Sequence, residues 1–119
     1  MHKMELKMYF LIALLTLVIS CNTFAHTKVK KTIPANLSSL DVSPKTISFE
    51  FGDQIKLTKV TLQLDKQDAI DIDISEFASF ETSFTIANPE QQKGIYQINW
   101  RGLSIDGHVM KGTFSFTVR

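Results

Sequence analysis

The chain has 119 residues, a formal net charge of +1 at pH 7, a single cysteine and 44% hydrophobic residues. That length supplies one small core and not two, and one cysteine excludes a disulfide framework within the chain. Near-neutral charge gives none of the electrostatic footprint expected of a nucleic-acid or anionic-membrane surface.

The first segment has the form of a secretory signal peptide over residues 1–25, followed by one domain over 26–119. Lys3 and Lys7 charge its start, Tyr9 to Ser20 is apolar or small, and Thr23 and Ala25 are the small residues before a cut. The apolar run is shorter than the roughly 20 residues of a membrane helix, so the expected product is exported and does not span a membrane. A second processing point is open. Val18-Ile19-Ser20-Cys21 resembles a lipobox, and a cut there would leave a lipid-anchored Cys21 at the terminus with His26 in the interior. The cut after Ala25 is the preferred reading; it removes Cys21 and leaves only nitrogen and oxygen donors of the usual strong kinds for a metal.

Beyond the signal, strand periodicity recurs. The basic run Lys28, Lys30 and Lys31 lies on an alternating stretch and reads as a solvated strand face. Ile47, Phe49 and Phe51 alternate with polar residues, as do Val60, Leu62 and Leu64, then Ile70, Ile72 and Ile74. A weaker strand passes through Phe84 and Ile86; two more carry Tyr96, Ile98 and Trp100, then Phe114, Phe116 and Val118. Turn signals separate them at Pro34-Ala35-Asn36, Ser43-Pro44, Phe51-Gly52-Asp53, Asn88-Pro89, Lys93-Gly94 and Asp106-Gly107. This pattern predicts an all-β domain, an antiparallel Greek-key sandwich or barrel of immunoglobulin-like type. Trp100 is expected in its core, and Asp71 and Asp73 on a solvated face.

Two histidines follow the signal, His26 and His108. If the cut falls after Ala25, His26 offers both its α-amine and its imidazole to one ion, a chelate that no internal histidine can form. Asp106 stands two residues before His108. In an extended segment such residues point the same way with Cα atoms roughly 6.5 to 7 Å apart, and Gly107 allows a bend that brings them closer. Three nitrogens and one oxygen suit a tetragonal Cu(II) centre. The plainer alternative is a hairpin turn at Asp106-Gly107 followed by an exposed histidine.

The segments Gly94-Ile95-Tyr96-Gln97-Ile98-Asn99-Trp100-Arg101, Ser104-Ile105-Asp106-Gly107-His108 and Gly112-Thr113-Phe114-Ser115-Phe116-Thr117-Val118 strongly resemble the C-terminal half of the CopC family of periplasmic copper-binding proteins. Ala25-His26, Pro34-Ala35 and Phe51-Gly52-Asp53 extend the resemblance along the domain. It implies a Greek-key β fold, export to the periplasm and one Cu(II) per chain, held by His26, Asp106 and His108. Asp53 matches an acidic position near the family's copper site, with at most a supporting role behind the ligands. Met110 is the only methionine after the signal, so the methionine-rich Cu(I) loop of some members is not expected.

The function implied is a copper carrier or buffer in homeostasis or resistance, a non-enzymatic monomer, with a separate inner-membrane copper transporter as a further partner. Two other classes stay open. An N-terminal histidine with a second histidine is also the copper brace of lytic polysaccharide monooxygenases, although Asp106 would fill a position their oxygen chemistry needs. A lipid-anchored sandwich without metal function follows from processing at Cys21.

Overall fold

The computed structural model describes residues 29–119. The signal reading of residues 1–25, Cys21 and His26 lie outside the described residues. Seven strands follow in order: β1 (Val29–Ile33), β2 (Ser38–Leu40), β3 (Thr46–Leu64), β4 (Ile70–Asp71), β5 (Glu81–Ala87), β6 (Gly94–Ser104) and β7 (Val109–Val118). The described fold is all-β, as the alternation indicates. The ladder order is β1-β3-β6-β7-β2, with β4 and β5 also paired to β3. Antiparallel pairing prevails, and β2 alone runs parallel to its neighbour, β7.

The long strand β3 makes one sheet into two facing layers. Residues Thr46–Phe51 pair with β1 and β5, whereas Ile55–Leu64 pair with β6. The partners change across Gly52, Asp53 and Gln54, all exposed. A strand that changes sheet partners in this way forms the corner of a closed sandwich. The expected turn at Phe51-Gly52-Asp53 is therefore a bend inside a continuous strand.

A second irregularity sits between Leu57 and Lys59, where the register to β6 shifts. Leu57 and Val60 are both buried while Thr58 and Lys59 are exposed. One extra residue thus moves the buried phase from odd to even positions, as a β-bulge does.

The core is aromatic at its centre. Phe49 packs against Phe51, Phe84 and Phe114 at centroid distances of 5.7, 5.8 and 5.6 Å. Tyr96 stacks on Phe116 at 4.9 Å. Trp100 meets Phe51 edge-on at 4.8 Å and is 2% exposed, the core position expected of it. Gly112 lies opposite Trp100 on β7, and a Cβ there would come within 2.7 Å of the indole nitrogen. The bare backbone of Gly112 makes room for the ring.

The stretch from Ile70 to Ile74 corrects a further expectation: only Ile70 and Asp71 join a ladder, with Leu62 and Thr61. Ile72, Ile74 and Phe77 instead pack as a cover over the core. Asp73 is exposed and accepts from the Ser75 N–H at 2.9 Å, a turn-forming contact.

Candidate metal centre

Hairpin chemistry places Asp106 and His108. The chain reverses between β6 and β7 through Ile105, Asp106 and Gly107, closed by Ser104 N–H donating to His108 C=O at 3.0 Å. Gly107 N–H donates to Ser104 C=O at 2.9 Å, and Gly107 has φ 85°. This is the three-residue hairpin with a left-handed final residue, where glycine carries no Cβ penalty. The turn, and not an extended segment, brings the two side chains together.

Their contact is direct. His108 Nδ1 lies 2.9 Å from Asp106 Oδ2, with the two side chains 77% and 63% exposed. The Ser104 hydroxyl donates to Asp106 Oδ1 and accepts from the His108 backbone N–H at 3.1 Å. Both carboxylate oxygens are thus engaged, and Nε2 is the open ring donor of His108. The Ser104 hydroxyl is the main cause holding the Asp106 carboxyl below the usual carboxylate range; desolvation opposes it as the next largest effect, and the His108 backbone N–H and imidazole add smaller lowering contributions. The motif contains Ser104 without indicating these contacts, which appear only when the turn closes.

One cleft joins this hairpin to the β3 corner. Gly52, Asp53 and Gln54 line it with Ser104, Asp106, His108 and Met110. Asp53 therefore lines the same cleft as Asp106 and His108. Met110, 7% exposed, contributes one thioether to the cleft wall. Among the described residues no group of three or more His, Cys, Asp or Glu side chains converges as a ligand set. His26, the third expected ligand, lies outside the described residues. Asp71 is instead 3.9 Å from Lys59, an exposed pair on the sheet surface.

Residues 29–119 match the family model of the CopC domain. The chain belongs to the CopC family. Relatives of this CopC domain include the copper transport protein CutJ of Bacillus subtilis, 25% identical over 120 residues. That match takes in 97% of this chain and 22% of CutJ, so the chain spans about a fifth of that relative's length. Copper resistance protein C of Xanthomonas campestris pv. juglandis is 27% identical over 109 residues, covering 84% of this chain and 85% of that protein. Among solved structures, CopC of Methylosinus trichosporium OB3b superposes with a TM-score of 0.64 at 22% identity, over 78% of this chain and 93% of that one. PcoC of Escherichia coli, a methionine-rich copper resistance protein, gives 0.55 at 25% identity, over 80% and 100%. Within this CopC domain, the Ser104–His108 hairpin and the β3 corner form the cleft described above.

Proposed function

We propose that this CopC-family chain is a periplasmic Cu(II) carrier or buffer in copper homeostasis or resistance. The carrying observation is the Asp106–His108 pair, solvent-facing on a closed hairpin and bordering a cleft. Copper is the cargo, one ion per chain, and its ligands are the α-amine and imidazole of His26, the imidazole of His108 and the carboxylate of Asp106. Nitrogen and oxygen donors in this number match the preference of Cu(II). Copper-named relatives of two lineages support the choice of metal.

Topology supports the inclusion of His26. Val29 pairs with Phe51, adjacent to the Gly52–Gln54 segment of the cleft. His26 is three Cα steps from Val29, a reach of at most roughly 11 Å. Ser104 anchors one carboxylate oxygen and the closed hairpin holds Asp106 and His108 side by side. Such pre-orientation lowers the cost of ordering the ligands. The ion would take the place of the Nδ1–Oδ2 contact, since a carboxylate held on Nδ1 cannot also reach a metal on Nε2 of the same ring.

The test is Cu(II) titration of the exported protein, with intact mass recording the N-terminus and the stoichiometry. One alanine added before His26 removes the terminal chelate, and His108→Ala removes a ring donor. Each is expected to weaken binding more than about 100-fold, beyond the 10–100-fold typical of a partner that only orients a ligand. Unchanged affinity in the extended protein would refute the terminal chelate.

A further inference from the structure

Three neighbouring strand segments carry charge of one sign. Ile55–Leu64 of β3, β6 and β7 contain no Asp or Glu, yet hold Lys56, Lys59, Arg101 and Lys111. The register aligns three of these cations in one row: Lys59 is opposite Arg101, and Arg101 is opposite Lys111. All three are exposed. Like charges directly opposite on adjacent strands are destabilising, so the row has no rationale in stability.

Compensation is slight. Lys59 has Asp71 at 3.9 Å, both side chains being more than half exposed, and such pairs contribute little. Arg101 and Lys111 have no ion pair among the described residues. The next row, Thr61, Asn99 and Thr113, is neutral and hydrogen-bonding, with Thr113 Oγ1 donating to Asn99 Oδ1 at 2.7 Å. Both rows line one shallow depression together with Trp100 and Gly112. An adjoining depression shares Trp100, Lys111 and Gly112 and is edged by Lys30 and Lys31 of β1. Trp100 Nε1 is buried there without a hydrogen-bond partner among the described residues.

We infer that this sheet face docks an acidic segment of a partner protein, whose carboxylates meet Lys59, Arg101 and Lys111. The row of hydroxyl and amide groups beside the cations fits peptide backbone. Alternate residues of an extended peptide stand roughly 7 Å apart and neighbouring strands roughly 5 Å, a difference that flexible lysine and arginine side chains absorb. A bilayer surface would call for apolar side chains to enter the interface, and the depression offers hydroxyls and an amide in their place. The inference does not depend on the copper reading.

The experiment uses the exported chain and its Lys59→Gln, Arg101→Gln, Lys111→Gln triple variant. The probe is a synthetic peptide with glutamate at alternate positions, followed by amide NMR and Trp100 fluorescence, with phosphatidylglycerol vesicles as the comparison. Expected are shifts confined to Thr61, Asn99, Arg101, Thr113 and the Trp100 ring N–H, and binding weakened about tenfold between 20 and 200 mM NaCl as the charges are screened. The triple variant should bind at least about tenfold more weakly, with a thermal midpoint equal to or above that of the parent because the repulsive row is gone. Equal binding by the variant, shifts on another face, preference for vesicles over peptide, or a lowered midpoint would overturn the inference.

Discussion

The hydroxyl of Ser104 joins two groups that the linear motif sets side by side, donating to Asp106 and accepting from the His108 N–H at 3.1 Å. Ser104→Ala removes the main cause of the lowered Asp106 pKa. Carbon-detected NMR of the Asp106 carboxyl should show its midpoint below the ordinary value of about 3.9 in the parent and raised towards it in the variant. The sign is that of a depressed carboxylate: its contribution to the folded hairpin is present above the unfolded pKa and lost as pH falls through the folded value. Cu(II) affinity should fall about tenfold, the lower end for loss of an orienting contact. A midpoint that does not move would show that Ser104 merely occupies the turn. Asp106 and His108 were legible in the sequence because their convergence is local, set by a glycine and a two-residue spacing. The role of Ser104 was not, since it requires the turn to bring residues four apart within hydrogen-bond range.

At the scale of the element, Thr58 is the extra residue that a bulge in β3 absorbs so that both halves keep their apolar side chains in the core. Ile47, Phe49, Phe51, Ile55 and Leu57 are buried at odd positions and Val60, Leu62 and Leu64 at even ones, and the register shift between Leu57 and Lys59 reconciles them. Deleting Thr58 alone leaves Leu57, Lys59 and Val60 in regular alternation against consecutive β6 partners, so the core face is kept, whereas deleting Thr58 and Lys59 together turns Val60, Leu62 and Leu64 towards solvent if the first half stays in place. At about 1.5–3 kcal/mol for each side chain, the loss is comparable with the whole 5–15 kcal/mol stability of a typical domain. The double deletion should therefore show collapsed amide dispersion and no cooperative melt, whereas deletion of Thr58 alone should keep native dispersion and a cooperative melt, and Thr58→Ala should stay within about 0.5 kcal/mol of the parent. A native-like spectrum from the double deletion would mean that another register accommodates the strand. Alternation identified the apolar faces on either side of Thr58, yet a phase change looks like the end of one strand and the start of another. Ile70 to Ile74 erred in the opposite direction: it has strand periodicity, but its later apolar residues cover the core from a loop. Asn88 is similar. Read as a turn residue, it is buried and donates to Ser43 Oγ at 3.2 Å and Pro44 C=O at 2.9 Å, fastening two turns that only the fold brings together.

Across the whole molecule, the near-zero charge of the chain conceals a segregation that sequence position does not reveal. Lys59, Arg101 and Lys111 are far apart in the chain and become neighbours through two antiparallel ladders. The same ladders make the domain one cooperative unit, because β3 belongs to both layers and β6 links it to the hairpin that bears Asp106 and His108. Denaturation followed by Trp100 fluorescence, which reports β6, and by far-ultraviolet circular dichroism, which reports all strands, should give coincident midpoints. Binding at the hairpin then stabilises the entire fold by mass action: free Cu(II) at 100 times its dissociation constant adds about 2.7 kcal/mol. For a domain of this size that corresponds to a rise of roughly 10–20 °C in the thermal midpoint, equal in both signals. The Asp106→Ala, His108→Ala double variant should lose the rise while keeping its metal-free midpoint within a few degrees, since both side chains are largely exposed. Separate transitions, or a copper-dependent shift seen by only one probe, would show that the hairpin and its cleft open independently of the core.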